Sequence, residues 1–392
     1  MKYTLFVTPF LPYPTSGGST MRASVILEVL ASLGPVIVVN PTIFGHEGSL
    51  IMDDWARSRA AAFFRVPIER VGEIKSLVAD FLSSQPGATL DIVYAFRQQV
   101  APAALSCLSL AEHGLRATFL DLDDDDTNRN EQFVPLYEAA GAPARASELR
   151  STLHRMNLFR QVLMGKFQHL LLASPDDCRS MGARYPQHTF LHLPNVVREP
   201  AAAATAVARD STRLLFVGTL SYLPNEDGVV MFVREILPRI RAVDDRIGFR
   251  VVGMGWSDAV RSVAELPGVR VVGAVVDLTP EYAAASMLVV PIRAGSGTRI
   301  KILEAFSHRI PVVSTTKGAE GLAVTAGKHL LIADTPEEFA RCCLRLAGDD
   351  ALREQLVELA HDWVVREHSV DTVRRVIYGC LGIPDNSLLH TP

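Results

Sequence analysis

A chain of 392 residues is too long for one hydrophobic core and fits two domains of ordinary size. Hydrophobic residues make up 48 % and charged residues 21 %, which marks a globular chain and excludes a disordered one. A formal charge of -4 excludes nucleic acid as the main partner, because a duplex binder needs a strong basic excess to displace counterions.

The opening MKYTLFVTPFLPYP has one Lys and a short apolar run closed by prolines, so it reads as a strand and not as a signal peptide. No stretch reaches the roughly 18 uninterrupted apolar residues of a membrane span. Cys107, Cys178, Cys342, Cys343 and Cys380 form no CxxC pair and have no His at zinc-ligand spacing. They read as reduced thiols, and the chain as cytoplasmic.

Short runs rich in Val, Leu, Ile and Phe alternate with helical patterns, the signature of a wound parallel sheet. The first half predicts strands at 3–9, 36–40, 91–96, 117–122, 169–174 and 189–193. The small-residue stretch EPAAAATAVARDST (199–212) reads as a linker. Alternation then restarts, with strands predicted at 213–218, 249–253, 269–274, 287–292, 311–315 and 329–333. The tail from Thr335 to Leu381 reads as two or three helices. Val370, Val373, Val376, Ile377 and Leu381 give its end one apolar face. The fold class is therefore α/β, with two doubly wound, Rossmann-like domains facing a cleft. Ligands of such sheets bind in the loops beyond the carboxyl ends of the strands.

The most informative loop is PIRAGSGTRIKILE (291–304), in which an apolar strand runs into a glycine-rich turn and then a helix. Gly295 and Gly297, with Ser296 between them, let the backbone approach a ligand closely. A helix predicted to begin near Thr298 would add free N–H groups and the positive end of its dipole. Arg293, Arg299 and Lys301 supply cations, a combination that suits a diphosphate. Glu304 lies one turn after Lys301, and a carboxylate there suits hydroxyl donors such as those of a ribose. The plain alternative is a turn followed by a surface Lys301–Glu304 ion pair.

Other loops offer weaker signals. Gly17 and Gly18 follow the first strand and open a helix. Gly218–Thr219 and Gly253–Met254–Gly255 each end a strand without completing GxGxxG, so a dehydrogenase-type dinucleotide site is poorly supported. The run Asp121-Leu-Asp-Asp-Asp-Asp126 does not follow the spacing of a calcium-binding loop. It reads either as a solvated helix cap or as acids that meet a substrate; no metal site is predicted. Arg97 stands after the third predicted strand. From Tyr137 to Phe167, Arg145, Arg150, Arg155, Arg160 and Lys166 lie among Leu, Met and Phe. This reads first as a surface helix and second as a weak peripheral contact with an anionic membrane. His308 reads as structural.

The stretch GSGTRIKILEAFSHRIPVVSTTKGAEGL resembles the signature region of retaining glycosyltransferases of family 4, which have the GT-B fold. FVGTLSYLPNEDGV from Phe216, LPNVV from Leu193 and the opening PFLPYPTSGGSTMRASVILEVLASLG are similar to other parts of that family. The resemblance implies an acceptor-binding domain (1–198), the linker (199–212), a nucleotide-sugar-binding domain (213–366) and a C-terminal helix that returns to the first domain (367–392). It implies transfer from a nucleotide diphosphate sugar to a sugar, lipid-linked or small-molecule hydroxyl acceptor, with retention and without a metal or cofactor. The base is unspecified.

Carried over by position, Glu304 matches the carboxylate at the donor ribose. Lys301 and Arg299 lie where they reach the diphosphate and take part in catalysis. Gly17, Gly18, Gly218, Thr219, Gly253, Val275, Val276, Arg293, Gly295, Ser296, Gly297 and Thr298 line the donor. Where many family members carry a His reaching toward the sugar, this chain has acids: Asp121 and Asp124 are read as meeting acceptor hydroxyls or supporting positive charge at the anomeric carbon, and Arg97 as facing acceptor or phosphate or simply the surface. Two departures stand out. Ser296 occupies the place of the first of two family glutamates, and Leu223-Pro224-Asn225 replaces a Lys-Gly pair. The lost glutamate gives weight to a non-catalytic nucleotide-sugar-binding protein as an alternative. A nucleotide-sugar epimerase of the same fold is another.

Overall fold

The protein was analysed as a computed structural model, which describes residues 1–14, 18–42, 50–111, 114–139, 141, 143–198, 212–275, 277–295 and 298–384. The chain divides into two compact units, one of residues 1–196 with 369–392 and the other of 197–368. The divisions fall two residues from the expected 198/199 and 366/367. The expected linker lies outside the described residues except for Thr212, as do Gly17, Val276, Ser296 and Gly297.

The first unit holds a seven-stranded, wholly parallel sheet. Its strands are β1 (Lys2–Val7), β2 (Val36–Thr42), β3 (Ala62–Pro67), β4 (Thr89–Phe96), β5 (Ala117–Asp123), β6 (His169–Leu172) and β7 (Phe190–His192). They lie in the order β3-β2-β1-β4-β5-β6-β7. Side chains alternate between the faces of the central strands. Leu5, Val7, Val93 and Leu120 pack on one side with Ile74, Val78 and Leu82 of the helix Ile74–Ser83. Phe6, Ile92, Tyr94 and Phe119 pack on the other with the helix Gly18–Ala31.

That second face also receives the last helix, Val370–Cys380, through Val373 and Ile377, with Leu381 just beyond it. Arg116 Nη2 donates to the Leu381 carbonyl at 3.1 Å, and the Ser32 and Tyr378 hydroxyls lie 3.0 Å apart. The final segment therefore belongs to the first unit. Strand β3 has no counterpart among the predicted strands. It is an edge strand, mostly half-buried, and its short apolar run is interrupted by Arg65 and ends in Pro67.

The second unit holds a six-stranded parallel sheet of β8 (Arg213–Val217), β9 (Gly248–Val252), β10 (Val269–Val272), β11 (Met287–Val290), β12 (Val312–Ser314) and β13 (Leu331–Ile332). The order is β10-β9-β8-β11-β12-β13. The chain winds outward from β8 to β10, then crosses back to β11 beside β8 and winds the other way. Such a reversal opens a crevice beyond the carboxyl ends of the two central strands. In this unit the reversal lies between β8 and β11, which pair directly at Leu215 and Leu288. Helices Pro336–Gly348 and Asp350–Glu367 close the unit, burying Phe339, Leu346, Leu356 and Trp363 in its core.

Candidate functional site

The loops after β8 and β11 meet at the reversal point. The first runs from Gly218 into the helix Leu223–Met231, whose N-terminal turn carries Pro224 and Asn225. The second runs from Pro291 through Gly295 toward the helix Ile300–Ser307. That helix begins at Ile300, two residues later than expected, so Thr298 and Arg299 precede it and Arg299 is the cap residue.

Lys301 points back across the reversal. Its Nζ donates to Asn225 Oδ1 at 2.9 Å and lies 4.0 Å from the centre of the buried Phe216 ring on β8. Among the described residues no carboxylate lies within ion-pair distance of Lys301. Burial pushes its ammonium pKa down to about 7, Arg299 acts in the same direction, and Glu304 opposes both. A cation paired only with neutral and aromatic groups is poised to accept an anion.

The expected alternative of a surface Lys301–Glu304 pair does not hold. Glu304 instead accepts a hydrogen bond from the buried Tyr282 hydroxyl, 2.7 Å from Oε2. Burial raises the Glu304 pKa, while the Tyr282 hydrogen bond and the Lys301 charge pull it back. The Tyr282 ring stacks on His308 with centroids 4.9 Å apart. Arg299 is buried, with Nη2 3.5 Å from the Ala294 carbonyl. Gly295 has φ near 101°, which favours glycine, and a Cβ there would lie 3.4 Å from that guanidinium and 3.2 Å from the Tyr222 hydroxyl.

Three expected donor residues make contacts within the unit. Arg293 turns outward and makes a bidentate pair with Asp227, at 2.9 and 2.5 Å. Gly253 is small for the sake of the fold, because a Cβ would lie 1.8 Å from the Gly218 carbonyl oxygen. Val275 packs partly against the core of the unit. Gly218 itself serves the site: a Cβ would come within 2.7 Å of Asn225 Nδ2 and 3.0 Å of Lys301 Nζ. Thr219 is exposed beside it and lends its carbonyl to Asn225.

In the first unit Gly18 opens the helix Gly18–Ala31. The acidic run of that unit is neither solvated nor metal-like. Arg22 Nη2 and Nε donate to the two Asp121 oxygens at 2.9 and 3.0 Å. Tyr94 donates to Asp121 at 2.9 Å, and the Asp123 N–H at 3.0 Å. Asp121 has no exposed surface, so the expectation that it meets an acceptor fails: it positions other groups.

Arg97 has a left-handed φ near 76° and donates to Asp123 and Asp124, each at 2.5 Å. Both Arg97 and Asp124 are thus engaged inside the unit. Burial pushes the Asp123 carboxyl pKa up against the pull of Arg97 and Arg22. Arg160, expected on a surface helix, is buried and donates to Asp125 at 2.9 Å. Asp125 also caps the helix Asp126–Ala139 by accepting from the Thr127 and Asn128 N–H groups. Sequence reasoning missed Arg22, Tyr94, Asn225 and Tyr282. For Arg22 and Arg160 a signal existed, since five acids between 121 and 126 in a buried strand end require cations from elsewhere.

Residues 211–349, which lie within the second unit, match the family model of glycosyl transferases group 1. An uncharacterized 44.6 kDa protein in the cps region of Klebsiella pneumoniae is 24 % identical over 185 residues. That match covers 45 % of this chain and spans about half, 46 %, of the relative's length. A mutant of TarM from S. aureus, solved with fondaparinux, alpha-GlcNAc-glycerol and UDP, is similar with a TM-score of 0.67 at 10 % identity, over 97 % of this chain and 100 % of that one. Sucrose-phosphate synthase from Thermosynechococcus elongatus gives 0.66 at 16 % identity, over 97 % and 98 %. HepE of Anabaena, solved with UDP and glucose, gives 0.62 at 13 %, over 97 % and 99 %. At such low identity these likenesses speak for the fold: two parallel-sheet, Rossmann-like units of the GT-B glycosyltransferase type.

Proposed function

We propose that this chain transfers a glycosyl group from a nucleotide diphosphate sugar to a hydroxyl acceptor, with retention of configuration and without a metal, as a member of family 4. The observation that carries the reading is Lys301, a half-buried cation paired to a neutral amide beyond the end of β8, one helical turn from Glu304. Arg299 lies beside the same loop. In this reading Lys301 and Arg299 face the diphosphate, and Glu304, oriented by Tyr282, accepts hydrogen bonds from the donor ribose.

The chemistry then needs no protein nucleophile. The bond from the anomeric carbon to the diphosphate oxygen breaks, and its electron pair leaves with the diphosphate. Fixed cations stabilise the charge that grows there. The acceptor hydroxyl bonds to the anomeric carbon on the same face, and its proton passes to the departing phosphate oxygen.

Two structural neighbours hold UDP, which makes uridine the first base to test. The acceptor is a sugar, a lipid-linked sugar or a small hydroxyl compound, bound by the first unit. We place the reaction in the cytoplasm, since the cysteines are free thiols. A transfer assay with UDP-, GDP-, ADP- and dTDP-sugars against a panel of hydroxyl acceptors tests the proposal. One donor is expected to give an α- or β-product of unchanged anomeric sense by NMR. An inverted product contradicts retention. Donor binding without turnover across the panel contradicts transfer.

A further inference from the structure

The family resemblance leads one to expect a Lys-Gly pair in the loop after β8, where this chain has Leu223-Pro224-Asn225 and no cation. The geometry points to Asn225 as a positioning residue that presents Lys301 to the donor diphosphate as a cation without a counter-charge. The inference rests on the donor-site reading above.

Three observations carry it. First, the orientation of the Asn225 amide is dictated by its neighbours. Nδ2 donates to the Thr219 carbonyl at 2.9 Å, and that oxygen only accepts. Oδ1 must therefore face Lys301, whose ammonium only donates, also at 2.9 Å. One side chain thus ties the loop after β8 to the helix after β11. Second, the site is built to make room for this pair: the absent Cβ of Gly218 leaves space that Asn225 Nδ2 and Lys301 Nζ occupy. Third, Asn225 is itself buried, and a carboxylate of the same shape would face the Thr219 carbonyl without a hydrogen to give.

The consequence is electrostatic. The groups around Lys301 are Asn225 from the helix Leu223–Met231, Phe216 from β8, Arg299 from its own loop and Glu304 from its own helix, with Tyr282 holding Glu304. Only Glu304 brings negative charge, and its hydrogen bond goes to Tyr282. An amide therefore fixes the ammonium in place without spending its charge. An aspartate would lose the bond to Thr219 and, beside Lys301, would cancel the ammonium's charge. Arg293 is paired instead with Asp227.

The test compares wild type, Asn225→Asp and Asn225→Ser by calorimetric titration with UDP-glucose, GDP-mannose, ADP-glucose and dTDP-glucose from pH 6 to 9. Melting temperatures serve as a control. The diphosphate diester of these donors does not titrate in that range and their bases lose protons only at its alkaline end, so a limb near neutrality belongs to the protein. Wild type is expected to bind one donor less well above about pH 7, as Lys301 loses its proton. Asn225→Asp is expected to bind roughly 10- to 100-fold more weakly at pH 7, with the limb displaced to higher pH. Asn225→Ser, which leaves Lys301 without its fixed partner, is expected to weaken binding about tenfold while keeping the limb. Wild-type affinity in either variant, or an unmoved limb in Asn225→Asp, overturns the positioning role and leaves the donor site standing. Failure of wild type to bind any donor overturns the donor site itself.

Discussion

At the residue scale the donor assignment separates two kinds of interaction. Glu304 is assigned to ribose hydroxyls, which the donor keeps throughout the reaction. Glu304→Gln is expected to raise donor KM by the equivalent of about 1–2 kcal/mol and to leave kcat close to wild type. Lys301 is assigned to charge that grows in the transition state, so Lys301→Ala is expected to lower kcat roughly ten- to a thousandfold. Steady-state kinetics with melting temperatures checks both, and near wild-type values in both variants would remove the assignment.

The depressed Lys301 pKa adds a second expectation with two opposite signs. In the folded protein its pKa falls from the ordinary 10.5 to about 7. Between those values the unfolded state binds more protons, so this group's effect on stability improves as pH rises through the window. Donor binding needs the protonated form and weakens over the same window. Denaturant titration and donor titration against pH are expected to trend in opposite directions above about pH 7. Parallel trends would show that Lys301 is not the titrating group.

At the element scale, most strands were legible because both faces of a wound sheet are covered, which leaves short apolar runs such as Thr89–Phe96 and Met287–Val290. The half-covered edge strand β3 lacked that signal. The long basic stretch from Tyr137 proved to end one helix and form another, Pro143–Met164, joined through buried Val134, Ala146 and Leu153. Its polar side faced both ways: Arg160 went inward to Asp125, while Leu158, Phe159 and Val162 stayed 56 %, 47 % and 66 % exposed. No helix pattern announces such an inversion, because the deciding partners, Asp125 and Gln98, lie outside the helix.

The exposed apolar trio is flanked by the exposed Arg155 and Lys166, which suits a weak contact with an anionic bilayer. Sedimentation with phosphatidylglycerol vesicles is expected to carry down a fraction of the protein, and neutral vesicles much less. The double change Leu158→Glu, Phe159→Glu is expected to abolish it without lowering Tm. Equal sedimentation of both proteins would contradict a contact through this helix.

At the scale of the whole molecule, the winding of each unit was readable from alternation alone, and the glycines and cations of the loop 291–304 singled it out as the proposed anion site. What the sequence concealed was which cations converge. Lys301 meets Asn225 from a segment 76 positions away, and Arg293 is withdrawn by Asp227 at a separation of 66. Such pairings depend on two loops meeting at the strand-order reversal, which neither loop specifies. Among the described residues no cluster of His, Cys, Asp or Glu is arranged to hold a metal ion. With Lys301 and Arg299 as the charge-stabilising groups, turnover is expected to persist in excess EDTA. Loss of activity restored by magnesium or manganese would contradict the metal-free mechanism.

The central claim is that the strand-order reversal of the second unit binds a nucleotide diphosphate sugar through Lys301. Thermal unfolding of wild type and Lys301→Ala, each with saturating UDP-, GDP-, ADP- and dTDP-sugars, tests it most directly, because a ligand that binds only the folded state raises apparent stability. The account predicts that one base raises the wild-type Tm by several degrees, in line with roughly 2–3 kcal/mol at a hundredfold excess over Kd. The variant, folded and of similar Tm without ligand, should show little of that rise. No rise with any donor, or the same rise in both proteins, would contradict it.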